Sequence, residues 1–388
     1  MRFTRCCAAA AVGLTVGAGA TAAQAAASLT KPDAKYPEPL TRISGVRELS
    51  GNKVLVSDMV DKLVLLIDLG SGTATKVGRQ GQGPGEFGLP GALLSIPKGE
   101  TLLLDLVGRR FLVIGADGKP GGTVNMPSSG APGLGSMGPD TKSDNLGRIY
   151  FAGPGFNFNG GTAPDSVPIQ RWDRTGPKFD TVAWVSVPKA DVTSSGGSGG
   201  YQRFSVRIGG SKIFTAEEQW AVSGDGRIVR VRPNPYQVTW YDGPSKATPG
   251  PVVPYTPLKV TEADKQQFIE QQKRQKPMMV TIGGPGGGGG RAPNFTQPPP
   301  EFADTKPPFT GGFGGGSVFA TPEGEVWVAR TRSASEKTPV YDVFDRSGKL
   351  VRKVSLNPDS RIIGFGAGTV YVVRTDEDDL QYLEKYRK

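Results

Sequence analysis

The chain has 388 residues, with 56 Gly, 33 Pro, 46 Lys+Arg against 36 Asp+Glu, no His, and its only two cysteines at Cys6 and Cys7. Without imidazole, and without thiol beyond the extreme N-terminus, the composition excludes zinc sites built on nitrogen or sulfur ligands, Ser-His-Asp and Cys-His hydrolysis, and a disulfide scaffold. The net charge of +10 comes with no dense basic run and no aromatic–basic interleaving, so Lys and Arg are read as scattered over solvated faces and no nucleic-acid partner is expected.

Residues 1–25 read as a secretory signal. Arg2 and Arg5 supply the positive end, Ala8 to Ala20 the small apolar stretch, and Ala23-Gln24-Ala25 the small residues of a cleavage site near Ala25. The apolar run is too short and Gly-rich to span a bilayer. A periplasmic or extracellular protein is expected, with no membrane span.

From Ile43 onward the chain repeats. Lys53-Val54-Leu55-Val56-Ser57-Asp58 returns as Glu100-Thr101-Leu102-Leu103-Leu104-Asp105, 47 residues on (58 to 105), and the same offset carries Leu63–Ile67 onto Arg110–Ile114. A period in the forties with several short strands per unit marks a radial repeat. Six units follow, their strands closed by Gly or Asp turns. The first runs from about Ile43 to Val77 and the second from Gly91 to Met126. The third carries Arg148–Ala152, Pro168–Trp172 and Phe179–Val187. The fourth carries Gln219–Ser223, Arg227–Val231 and Tyr236–Trp240, and the fifth Val318–Thr321, Val326–Ala329 and Val340–Phe344. The sixth carries Arg361–Phe365, Thr369–Val373 and Leu380–Tyr386, then runs out of chain, so Leu29–Thr41 is expected to supply its outer strand and close the ring. The prediction is a single all-β, six-bladed β-propeller over 26–388 with four-stranded antiparallel blades.

Three segments fall outside the repeat. Ser194–Gly200 reads as a Ser/Gly tether. Thr261–Lys276 (261–276) reads as a helical excursion between blades 4 and 5, with Thr261 as N-cap and Asp264 three residues on, and with Phe268 and Ile269 as its narrow apolar contact. The Gly/Pro-rich 283–300 segment reads as a loop; it lacks the Lys-Ser/Thr of a phosphate loop, so nucleotide binding is rejected there.

The stretch Gly78-Arg79-Gln80-Gly81-Gln82-Gly83-Pro84-Gly85-Glu86-Phe87, followed by Pro90, resembles the inter-blade signature of NHL-type, TolB-like six-bladed propellers. The match is good across 43–120, weaker across 140–260 and reasonable again across 315–386. Val370-Tyr371-Val372-Val373-Arg374-Thr375-Asp376 is similar to the corresponding run of uncharacterised secreted propellers of that group. The resemblance implies ligand binding on the face where inter-blade loops gather. Activities known on such folds include metal-dependent lyases and lactonases, quinone-dependent dehydrogenases and binding modules. The absence of His puts the zinc and His-dependent types in doubt and leaves a calcium site of Glu, Asp and Asn open.

The terminal position of each second strand is then equivalent around the ring: Asp58, Asp105, Gly153, Arg232, Arg330 and Arg374. Arg232, Arg330 and Arg374 converging on one opening would suit a carboxylate, sulfate or phosphate, since each guanidinium offers a planar fork of donors. Asp58 and Asp105 would form the acidic side of the same ring. The competing reading is that strand-end polar residues bond turn amides or pair with neighbours. Similarly, Glu86 is read as bonding amides of its own turn, Asp376-Glu377-Asp378-Asp379 as a solvated turn instead of a calcium loop, and Trp220, Trp240 and Trp327 as packing. Phe156-Asn157-Phe158-Asn159 would lie in a loop able to cover the top face. The first functional expectation is a monomeric, non-enzymatic module for a small anionic ligand or a peptide or protein partner, without a cofactor. The alternative is a calcium-dependent hydrolase of lactone or ester type; a cell-envelope assembly factor ranks third.

Overall fold

The computed structural model describes residues 26–126, 140–153, 164–187, 191–196, 202–207, 212–274, 300–310 and 316–388. The signal segment, the Phe156–Asn159 loop and nearly all of the 283–300 loop lie outside these. Six four-stranded antiparallel sheets stand around a common axis. Blade 1 is Ile43–Glu48, Lys53–Asp58, Leu63–Asp68 and Thr73–Lys76. Blade 2 is Pro90–Ser95, Thr101–Asp105, Arg110–Ile114 and Pro120–Asn125. Blade 3 is Lys142–Ser143, Ile149–Ala152, Ser166–Trp172 and Phe179–Ser186. Blade 4 is Gln219–Val222, Ile228–Pro233, Tyr236–Tyr241 and Ala247–Pro249. Blade 5 is Val318–Ala320, Val326–Ala329, Val340–Phe344 and Leu350–Leu356, with Ala26–Leu29 added in parallel at its outer edge. Blade 6 is Ser360–Gly366, Thr369–Thr375 and Gln381–Arg387, and Ala34–Lys35 pairs antiparallel with its last strand.

Except in blade 4, where Arg230 and Arg232 interrupt it, each second strand carries an apolar run without alternation because it is buried on both sides. A strand points successive side chains to opposite faces, and here each face meets a neighbouring blade. Leu55 and Leu103 join the core between blades 1 and 2, while Leu102 and Leu104 face blade 3 beside Ile149 and Phe151. Tyr150 turns the other way, onto Ile228 of blade 4. Val229 and Val231 meet Val326 and Val328, Trp327 meets Val370 and Val372, and Tyr371 and Val373 return to Val54 and Val56 of blade 1. The described core is thus a ring of inter-blade layers, and Trp240 and Trp327 pack within it, only 2% and 1% exposed.

The Gly-rich link between blades 1 and 2 is built as its sequence suggests. Gly78 has φ of +66°, and a Cβ there would sit 2.6 Å from the Gly85 carbonyl, so glycine is required twice over. Glu86 accepts from the Gly83 amide at 2.8 Å and from Arg79 Nε at 2.6 Å.

Two insertions leave the ring. Asp191–Gly196 pairs antiparallel with Gln202–Arg207, so Ser194–Gly196 belongs to a ladder and not to a tether. Ladder bonds run between backbone groups, so a Ser/Gly composition is compatible with pairing. The helix runs Glu262–Arg274. Thr261 Oγ1 accepts from the Asp264 amide at 3.3 Å, and Asp264 Oδ2 accepts from the Thr261 amide at 2.8 Å, a reciprocal cap. Its apolar contact is narrow: Phe268 stacks edge-on against Phe214 and Phe302, with centroids 6.0 and 5.7 Å away.

Candidate functional site

The inner strands surround an axial cavity of about 3290 Å³. Its top mouth is the face at which each inner strand begins and each second strand ends. Arg42 lies just before the inner strand of blade 1, Arg361 near the start of that of blade 6, and Arg332 just past the second strand of blade 5; all three line the cavity. Arg361 Nη2 donates to the Ile43 carbonyl at 2.9 Å and to Gln381 Oε1 at 3.4 Å. Arg332 Nη1 donates to the carbonyls of Glu336, at 3.3 Å, and Lys337. Tyr341 lies within electrostatic reach of both Arg361 and Arg332, and Arg42 within reach of Arg361. Among the described residues, no carboxylate forms an ion pair with any of the three. Burial pulls the Arg361 guanidinium below its ordinary range; the Tyr341 hydroxyl opposes this and the like charge of Arg42 adds to it.

Lys142, at the start of the inner strand of blade 3, is a cation that lines the cavity from the opposite side of the ring. Its Nζ donates to the Asp140 carbonyl at 2.9 Å and rests 4.4 Å from the centroid of Trp220. Burial lowers its pKa, with Asp140 opposing. Trp220 is therefore a platform for an ammonium as well as a packing residue. Toward the opposite face, Arg47 is also pulled down by burial, with Glu48 opposing, and its Nε has no hydrogen-bond partner. Glu48 itself accepts from Tyr371 Oη at 2.8 Å and from Thr369.

The residues singled out from strand-end equivalence are placed as follows. Asp58 is buried: its Oδ2 accepts the amides of Thr41 and Arg42 at 2.9 and 2.8 Å, and its Oδ1 those of Val60 and Asp61 at 2.9 and 3.0 Å. Asp105 Oδ1 accepts the amides of Gly88, Leu89 and Gly108 at 3.0, 3.1 and 3.0 Å, and Oδ2 lies 3.4 Å from Arg110 Nε. Both carboxylates tie a turn to the incoming inner strand. Each arginine has a carboxylate nearby: Arg232 Nε lies 3.3 Å from Glu218, just before the inner strand of its blade, Arg330 Nη1 3.5 Å from Asp342, and Arg374 Nε 3.2 Å from Glu384, the last two on neighbouring strands. Of the five residues only Arg374 lines the cavity.

A calcium ion favours six to eight oxygen ligands. Among the described residues no group of three or more Asp, Glu, Cys or His gathers closely enough to hold a metal. Asp376 Oδ1 accepts the amides of Asp378 and Leu380 at 3.0 and 2.9 Å, as a turn residue does. No helix among the described residues is long and apolar enough to cross a membrane.

With fold and site in view, the molecule is a six-bladed β-propeller with an axial cavity. No protein-family model matches the sequence, and no curated protein matches it. Solved structures similar to it include regucalcin, a calcium-binding protein of Agrobacterium tumefaciens, at 11% identity over 92% of this chain and 95% of that one, with a TM-score of 0.41. A gluconolactonase of Xanthomonas campestris aligns at 10% identity over 91% of this chain and 92% of that one, with a TM-score of 0.41. A protein of Bacteroides fragilis described as exported aligns at 12% identity over 94% of this chain and 100% of that one, with a TM-score of 0.42.

Proposed function

We propose that the protein is an exported binding module that holds a small anion at the top mouth of its axial cavity. The observation that carries this is the set of three guanidinium groups, Arg42, Arg332 and Arg361, which line that mouth without a described carboxylate partner. Their side-chain donors are only partly used, by carbonyl oxygens, and guanidinium forks match carboxylate and phosphate oxygens in pairs. Arg361 is half-buried, so a bound anion would meet a charge that solvent screens less than a fully exposed one. Lys142 adds a cation to the lining from blade 3, across the ring. Export rests on the leader read at 1–25.

The test is calorimetric titration of the purified protein with inorganic phosphate and with citrate. Arg42→Ala combined with Arg361→Ala is expected to weaken binding about 10- to 100-fold per guanidinium removed, from the usual worth of a charge-assisted hydrogen bond. Unchanged affinity in a variant that melts like the parent would remove the proposal. Export is tested separately, by N-terminal sequencing of the protein recovered outside the cytoplasm.

A further inference from the structure

We infer that the occupant of the top mouth is an organic anion with an apolar body, its carboxylate or phosphate head on Arg42, Arg332 and Arg361 and its body against Val60 and Val107. The inference rests on the anion reading above and narrows it to a chemical class.

The sequence repeat places the two valines. Asp58 and Asp105 are 47 residues apart, and so are Val60 and Val107, each two residues beyond its aspartate in the turn after the second strand. Turns at such places ordinarily carry Gly, Asn, Asp or Ser. Here adjacent blades present the same β-branched apolar side chain at the same point, 42% and 58% exposed, and both line the cavity that the guanidiniums line. Isolated exposed apolar residues are common on any protein. Two in register line the cavity that the guanidiniums also line, so one cavity carries two chemistries.

The turns are held in place before any ligand arrives. Asp58 Oδ1 accepts the Val60 amide at 2.9 Å, and Asp105 Oδ1 accepts the Gly108 amide at 3.0 Å, one residue past Val107. The Met59 amide donates to the Arg42 carbonyl at 3.3 Å, which fixes the first valine's turn against the residue that carries one of the guanidiniums. Valine has few side-chain rotamers to lose. Binding an apolar body here removes water from surface that is already ordered, so little of the gain is spent on ordering. A fully hydrated inorganic anion gains nothing from this part of the rim.

The experiment compares inorganic phosphate, acetate and hexanoate as calorimetric titrants of the full-length protein and of a Val60→Ser, Val107→Ser double variant. Both valines are exposed, so the variant is expected to melt with the parent. Hexanoate is expected to bind on the order of tenfold tighter than acetate, from the additional methylene surface it buries. In the double variant that preference is expected to fall to about threefold or less, with phosphate affinity unchanged. Equal affinity for the two carboxylates, binding of phosphate alone, or a hexanoate preference that survives in the double variant would each overturn the apolar contact and leave the anion reading intact. No binding of any of the three would overturn both.

Discussion

Asp105 illustrates how a buried carboxylate can serve architecture. It is 1% exposed and its Oδ1 collects three backbone amides from two segments. Its removal leaves the buried Leu89 amide without an acceptor, at about 1–3 kcal/mol, while the Gly88 and Gly108 amides are only part-buried and can turn to water. Asp105→Ala is therefore expected to destabilise the fold by about 1–3 kcal/mol, read from urea unfolding; a loss under about 0.5 kcal/mol would show that water takes over all three amides. The three arginines read from strand-end equivalence show what periodicity could not supply. Equivalence was legible, but the partner of each depended on pairing register. Extending the ladder past Gln219 and Val231 puts Glu218 opposite Arg232, while Asp342 and Glu384 sit diagonally across from Arg330 and Arg374. Arg42, Arg332 and Arg361 carried no such positional signal, because they lie beside strand ends whose bounds the sequence fixes only loosely.

Besides the Phe268 contact, the helical insertion is anchored at Asp264. Lys306 Nζ donates to Asp264 Oδ1 at 2.8 Å, to the Arg332 carbonyl at 2.6 Å, and lies 4.6 Å from the Phe214 centroid; the Ala334 amide also reaches Asp264, at 2.6 Å. Asp264 therefore joins the helix cap to the segment that carries Arg332, and Gln271 and Gln272 of the same helix line the cavity. Burial opposes the charge on Asp264, but Lys306 and the amides outweigh it and hold the carboxyl at about 2, against an ordinary 3.8. A depressed carboxyl contributes stability that is complete above its unfolded pKa and disappears as pH falls through the folded value. The stability that the parent holds over Asp264→Asn is thus expected to shrink by about 2–3 kcal/mol as pH falls from 3.8 through about 2. Urea unfolding at several pH values checks it, and a gap independent of pH would contradict the ion-pair account. The cap and the helix were readable from Thr261, Asp264 and the polar run after them. Lys306 was not, since it lies 42 residues away.

At the scale of the whole molecule, the ring was the most legible feature. Strands buried on both faces must be apolar throughout, and Val54–Val56 and Leu102–Leu104 say so without any reference to their neighbours. The Ser/Gly hairpin was not legible, because backbone pairing leaves little trace in such a composition. The ring is also what turns isolated arginines into a candidate site: Arg42 and Arg361 lie 319 residues apart (42 to 361) and line one mouth because the sixth blade closes onto the first, with Arg332 on the fifth blade lining the same cavity. The most direct measurement is an anomalous difference map from crystals soaked in selenate, a phosphate-like anion with a strong scatterer. A peak at the top mouth, within hydrogen-bond distance of at least two of these three guanidiniums, is the predicted result. A map whose anion peaks lie elsewhere, with the mouth empty at saturating selenate, would contradict the account.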